Sequence, residues 1–148
     1  MNTSPFMRPA LAAIACAAAF SFVTPAFAEV VNLKAEMTGK GEVPPNQSKG
    51  KGELTATYDT ATKKLDYKGT YSDLTGPATA AHFHGPAAPG KNAGVQIPIF
   101  AGAAAKSPFA GSATLTDAQA EQLLSGQWYV NVHTAANKGG EIRGQVIK

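Results

Sequence analysis

Apolar and polar residues alternate with a period of two over much of the chain. Val31, Leu33, Ala35 and Met37 interleave with Asn32, Lys34, Glu36 and Thr38. Leu54, Ala56 and Tyr58 do so with Glu53, Thr55 and Thr57, and Leu65, Tyr67 and Tyr71 with Asp66, Lys68 and Thr70. Successive side chains of a strand point to opposite faces, so this pattern predicts half-buried antiparallel strands. The short link Asp59-Thr60-Ala61-Thr62-Lys63 predicts a hairpin between strands 51–58 and 64–72. Further strands are expected at 78–84, 94–100, 109–115, 127–134 and 140–147. One helix interrupts them: Thr116 and Gln119 form a capping box, Ala120, Leu123 and Leu124 have helical spacing, and Gly126 is a stop. Glycine and proline cluster at 39–52, 85–94 and 101–108, which are expected to be loops. Seven or eight short strands with such loops predict an all-β antiparallel β-sandwich with one short helix.

The last two strands can be paired residue by residue. Between His133 and Glu141 lies Thr134-Ala135-Ala136-Asn137-Lys138-Gly139-Gly140, rich in turn formers. A hairpin symmetric about Asn137 sets His133 against Glu141, Asn131 against Arg143 and Tyr129 against Gln145. On its other face Val132 meets Ile142 and Trp128 meets Val146. Both faces are chemically consistent, although a bulge at Gly139-Gly140 would shift the register.

The N-terminus predicts a leader rather than part of the fold. Arg8 supplies a short positive region, Pro9–Ala28 carries no charge, and Ala26-Phe27-Ala28 before Glu29 is a small-x-small cleavage pattern. A signal peptide over residues 1–28 and a periplasmic or secreted domain over 29–148 are the expectation. The alternatives are an uncleaved anchor, which Pro25 opposes, and lipidation at Cys16, where Ala13 stands in place of the expected Leu. Loss of Arg8 with the leader leaves 12 basic against 10 acidic residues. That balance gives no reason to expect nucleic acid, and no membrane contact is expected once the leader is removed. The remaining chain has no cysteine, so neither a disulfide nor a thiolate can contribute. Any transition metal there must be held by nitrogen and oxygen, or by Met37, which the alternation assigns to the core.

All three histidines lie in strand-like segments. Ala81-His82-Phe83-His84-Gly85-Pro86 directs His82 and His84 to one face. In Trp128-Tyr129-Val130-Asn131-Val132-His133 the apolar face is Trp128, Val130 and Val132, which leaves His133 on the polar face with Tyr129 and Asn131. If the two strands are neighbours, three imidazoles meet on one surface, as in zinc and copper sites. The competing reading is that these histidines hold the Gly85–Gly94 loop through its carbonyls. Glu141 is either an acceptor for a histidine N–H or the partner of Arg143 or a lysine. Tyr129 and Asn131 either line the site or are half-exposed strand residues. Glu42, before Pro44-Pro45, is a further oxygen ligand or a loop anchor, and Trp128 is assigned to the core.

Ala80-Ala81-His82-Phe83-His84-Gly85-Pro86-Ala87, Trp128–Thr134 and Gly140-Glu141-Ile142-Arg143-Gly144-Gln145-Val146 together resemble the CHRD domain. Gly41-Glu42-Val43-Pro44-Pro45 is similar to its opening segment. This module takes its name from chordin and also occurs in exported bacterial proteins. The resemblance spans about Leu33 to Ile147 and implies an immunoglobulin-like or superoxide-dismutase-like sandwich. Chordin binds secreted growth factors, but the resemblance implies no comparable partner for a lone bacterial module. Lys138 departs from the pattern, since many members have proline before the Gly-Gly pair.

Three functions follow as expectations. The first is an exported metal-binding module, copper before zinc, using His82, His84 and His133, with binding that fades as imidazoles protonate near pH ~6. The second is a non-catalytic adhesion or interaction module with an envelope protein as partner and structural histidines. The third is a copper-dependent redox enzyme of superoxide dismutase type. Signals for other enzymes are poor: there is no nucleophile elbow and no glycine pattern between a strand and a helix to hold phosphate.

Overall fold

A computed structural model of the chain describes Met1 and residues 28–148. The expected leader, with Cys16, therefore lies outside the described residues except at its two ends. Among the described residues there are eight strands: β1 (Val30–Thr38), β2 (Lys51–Asp59), β3 (Lys64–Ser72), β4 (Ala78–His84), β5 (Val95–Ala101), β6 (Phe109–Thr114), β7 (Tyr129–Thr134) and β8 (Ile142–Gln145). The expected elements are all found, with β8 shorter at both ends than the 140–147 read from the sequence. The helix α1 (Asp117–Leu124) carries the expected capping box: Thr116 Oγ1 accepts from the Gln119 amide, and Gln119 Oε1 accepts from the Thr116 amide. Its buried Ala120 and Leu123 dock it on the sheet, and Gly126 at φ +72° ends it. Among the described residues no helix is long and apolar enough to cross a membrane.

The strands form one antiparallel sheet in the order β5-β4-β7-β8-β1-β2-β3-β6. One hydrogen-bonded sheet runs through all eight strands and curls into a nearly barrel-shaped form, all-β and antiparallel as expected, and nothing in it singles out the immunoglobulin-like or superoxide-dismutase-like type. Its two halves meet through aromatic side chains. Tyr67 of β3 packs edge-on against Phe83 of β4 at 5.2 Å, and Phe100 of β5 against Phe109 of β6 at 5.4 Å. Trp128, Phe83, Val130, Val132 and Ile142 are fully buried in this core, as the alternation required.

The β2–β3 hairpin pairs Asp59 with Lys64, and the β7–β8 hairpin pairs Tyr129 with Gln145, Asn131 with Arg143 and Val132 with Ile142. The Val146 amide donates to the Trp128 carbonyl, so the register expected around Asn137 is found. It ends one pair early: the Glu141 amide bonds the Val132 carbonyl, and Glu141 is not a ladder partner of His133. Gly144 is needed where β8 passes β1, since a Cβ there would stand 2.7 Å from the Glu36 carbonyl carbon. A side chain would force these strands apart.

Candidate metal centre

The pairing of β4 with β7 builds the site. Ala80 lies opposite His133, His82 opposite Asn131 and His84 opposite Tyr129, and β8 adds Arg143 beside Asn131 and Gln145 beside Tyr129. Two polar rows, His82–Asn131–Arg143 and His84–Tyr129–Gln145, thus cross the three strands on one face, with His133 next to them. On the other side of β4 the register shifts between Ala81 and His82, where edge strand β5 brings Pro98 opposite His82. Proline cannot donate to the ladder, so a bulge there is expected.

This face is roofed. The 85–94 loop is held down by Gln145 Nε2 donating to the Ala87 carbonyl (3.0 Å) and by Arg143 Nη2 donating to the Lys91 carbonyl (2.6 Å). Arg143 Nη1 also donates to Asn92 Oδ1 (3.0 Å). The Arg143 guanidinium sits 3.4 Å above the Tyr129 ring, and the His84 ring stacks on Tyr129 at 4.8 Å and 2°. Tyr129 and Asn131 are consequently buried, at 3% and 2% exposure, and not half-exposed as one reading of the alternation had it. Alternation tells which face a side chain is on; it cannot tell that a distant loop will cover that face.

The three imidazoles come together. Each offers a ring nitrogen within 4.8 Å of those of the other two. His133 Nδ1 bonds the Lys138 carbonyl (2.9 Å) and His84 Nδ1 the Ala93 carbonyl (3.0 Å). A carbonyl only accepts, so both rings carry their proton on Nδ1 and present Nε2 as a lone pair. His82 Nδ1 lies 3.1 Å from His133 Nε2, so in this arrangement His82 is the donor of that bond. His84 Nε2 is buried and has no hydrogen-bond partner.

Electrostatics keep the rings neutral. Burial lowers the pKa of all three below its ordinary value, and at His82 the neighbouring His133 and His84 lower it further. At His84 the bond to Ala93 partly opposes this. Neutral imidazole is the form that ligates a metal; the lone pair of His84 Nε2 is free, and that of His133 Nε2 is engaged only by His82.

The other expected contributors behave differently. Glu141 is fully buried but turns away from the histidines. Its carboxylate accepts from Ser48 Oγ (2.6 Å), the Thr75 amide (2.7 Å), Thr75 Oγ1 (2.7 Å), Thr134 Oγ1 (2.6 Å) and Asn137 Nδ2 (3.1 Å). Burial works against its charge, yet the bonds from Ser48, Thr134 and Thr75 prevail and hold its pKa at about 2. It is therefore neither a histidine acceptor nor the partner of Arg143 or a lysine: it ties three loops together. The accepting role expected of it is taken by the carbonyls of Lys138 and Ala93, which no side-chain pattern could announce. Glu42 is 5% exposed and stands beside Asn131 and Gly140, outside the histidine cluster. Its Oε1 makes no well-formed hydrogen bond, and burial pushes its pKa up to about 7 against the opposing field of Arg143. Met37 is wholly buried in the core, as expected.

The family model described as CHRD domain matches residues 33–146, nearly all of the described strands. No curated protein and no solved structure matches the chain.

Proposed function

The chain belongs to the CHRD domain family, and from that premise we propose that it is an exported metal-binding module that takes copper before zinc through His82, His84 and His133. One observation carries this reading: three imidazoles from two strands converge within 4.8 Å, and the buried Nε2 of His84 has nothing to bond. Nitrogen ligands about 2.05 Å from a tetrahedral ion lie about 3.4 Å apart. The His82–His133 edge, at 3.1 Å, is already close to that spacing. His82 Nδ1 and His133 Nε2 would both hold an ion at this edge if the His82 proton sat on Nε2 instead of Nδ1. The carbonyls of Lys138 and Ala93 aim the other two rings and raise their basicity, as outer partners of ligating histidines commonly do. Copper ranks first because a nitrogen-rich site follows the rise in affinity toward Cu²⁺, and the leader expected over residues 1–28 supports export.

A second reading keeps the histidines structural, in an interaction module whose partner is an envelope protein. The bonds from His84 to Ala93 and from His133 to Lys138 favour it, because they brace two loops. Bracing uses only Nδ1 and leaves the orphaned His84 Nε2 without a purpose. Titration calorimetry with Cu²⁺ and Zn²⁺ on protein free of a histidine tag separates the readings. Stoichiometric heat that disappears in His82→Ala/His84→Ala is expected. No heat, or a melting temperature that is the same with metal and with chelator, would leave only the structural reading.

A further inference from the structure

Asn131 is 2% exposed, and its Oδ1 is buried without a hydrogen-bond partner. A side-chain amide has two donors and one acceptor, so its orientation follows from its neighbours. Here Nδ2 donates to the Gly139 carbonyl (3.4 Å) and lies against the Glu42 carboxyl. Gly140 makes room for that contact: a Cβ there would stand 2.7 Å from Asn131 Nδ2 and would collide with Glu42 Oε1. Both neighbours of the nitrogen are acceptors, which fixes the nitrogen toward them and the oxygen away from them.

The oxygen is directed toward the histidines. Asn131 is the cross-strand partner of His82, shares the polar face of β7 with His133, and lies close enough to His84 to act on its titration. His84 Nε2 presents a lone pair because its Nδ1 proton is engaged by Ala93. Asn131 Oδ1 and, in this tautomer, His84 Nε2 are therefore two buried acceptors on one face of the sheet, neither with a donor. Leaving buried acceptors unsatisfied is costly, and a cation held by both would remove the two deficits together.

We propose that Asn131 Oδ1 is a fourth protein donor of this centre, giving a three-nitrogen, one-oxygen set that favours a divalent ion, Cu²⁺ or Zn²⁺, over Cu⁺. The inference rests on the metal-binding reading and adds to it the ligand number and the charge of the ion. A neutral amide oxygen is a hard donor, which suits divalent ions and contributes little to soft Cu⁺. Glu42 and Gly139 act as positioning groups, since they hold the amide nitrogen and so aim the oxygen.

The test compares wild type with Asn131→Leu, which keeps the volume and removes the oxygen, by titrating each full chain with Cu²⁺, Zn²⁺ and Cu⁺. Divalent affinity is expected to fall by about tenfold or more in the variant, while Cu⁺ affinity stays within about twofold. Divalent binding as tight in Asn131→Leu as in wild type, with binding lost in His84→Ala, would overturn the proposal and leave the three-histidine reading standing. No metal binding by wild type would remove both. Should Asn131→Leu not fold, wild-type protein decides. On zinc loading the side-chain carbonyl carbon of Asn131 is expected to shift in NMR together with the imidazole resonances, and a carbon unmoved at saturation refutes the oxygen ligand.

Discussion

Glu42→Gln isolates the consequence of burying a carboxyl group beside the candidate centre. Burial raises the pKa of Glu42 from 4.5 to about 7, with Arg143 only partly offsetting it. That difference corresponds to at most about 3.4 kcal/mol. The side chain keeps slight solvent contact at 5% exposure, and screening reduces the expected effect to about 2 kcal/mol. The folded state holds this proton more tightly than the unfolded chain does. The contribution of Glu42 is thus most favourable below pH 4.5, declines as pH rises through about 7, and is lost above it. Glutamine has the same shape and no such dependence. In urea unfolding followed by Trp128 fluorescence with a chelator present, Glu42→Gln should gain about 2 kcal/mol on wild type between pH 5 and pH 8. With a slope of about 2 kcal/mol per molar urea, that is a relative midpoint shift of about 1 M. The histidines are common to both proteins, so their own pH dependence cancels in the comparison. Two stability–pH curves that run parallel within about 0.5 kcal/mol would show that Glu42 is not desolvated, and the account of how it packs on Asn131 and Gly140 would fail.

Two further outcomes follow from the same electrostatics. Because burial lowers all three imidazole pKa values below 6.5, Cu²⁺ affinity should persist to a lower pH than exposed histidines allow and decline only as pH falls through those lowered values. Calorimetry at pH 7.5, 6.5 and 5.5 tests this, and half-loss at or above pH 6.5 would contradict it. The same groups should make the metal-free protein less stable as pH falls below 6.5, since the unfolded chain takes up those protons first. Glu141→Leu leaves five donors facing an apolar side chain, and a loss of about 3–5 kcal/mol is expected in urea unfolding at pH 7. A loss under about 1 kcal/mol would mean that Ser48, Thr75, Thr134 and Asn137 find water or other partners.

The alternation of β1–β3, the capping box of α1 and the β7–β8 register were legible because each depends on neighbours a few residues apart. The shared face of His82 and His84 was legible for the same reason. That His133 joins them requires β4 to pair with β7 across some fifty residues, which no local pattern specifies. The sequence pattern does not choose between a sandwich and a nearly closed barrel, because strand number and strand alternation are the same in both. Glu141 was misassigned because a carboxylate near a histidine in a hairpin looks like its partner. Two of its donors, Thr134 and Asn137, belong to the same hairpin, but the others, Ser48 and Thr75, come from loops whose approach is set by the whole fold.

The division of labour within the centre follows from the same distinction. The imidazoles are carried by β4 and β7, inside the sheet, where the ladder fixes Cα positions. The groups that set which ring nitrogen is free are backbone carbonyls on two loops, 85–94 and 134–141. Strands thus fix where the ligands are, and loops fix their protonation pattern. Glu141 serves the second task at one remove, because its bonds to Thr134 and Asn137 tie down the turn that carries the Lys138 carbonyl. This also accounts for the latitude at position 138. Among the bonds of this turn the centre uses only the backbone carbonyl of Lys138, which any residue there would possess. Gly140 has no such latitude: at φ +133°, with Glu42 and Asn131 packed against it, any side chain would strain the turn and push the Asn131 amide out of place.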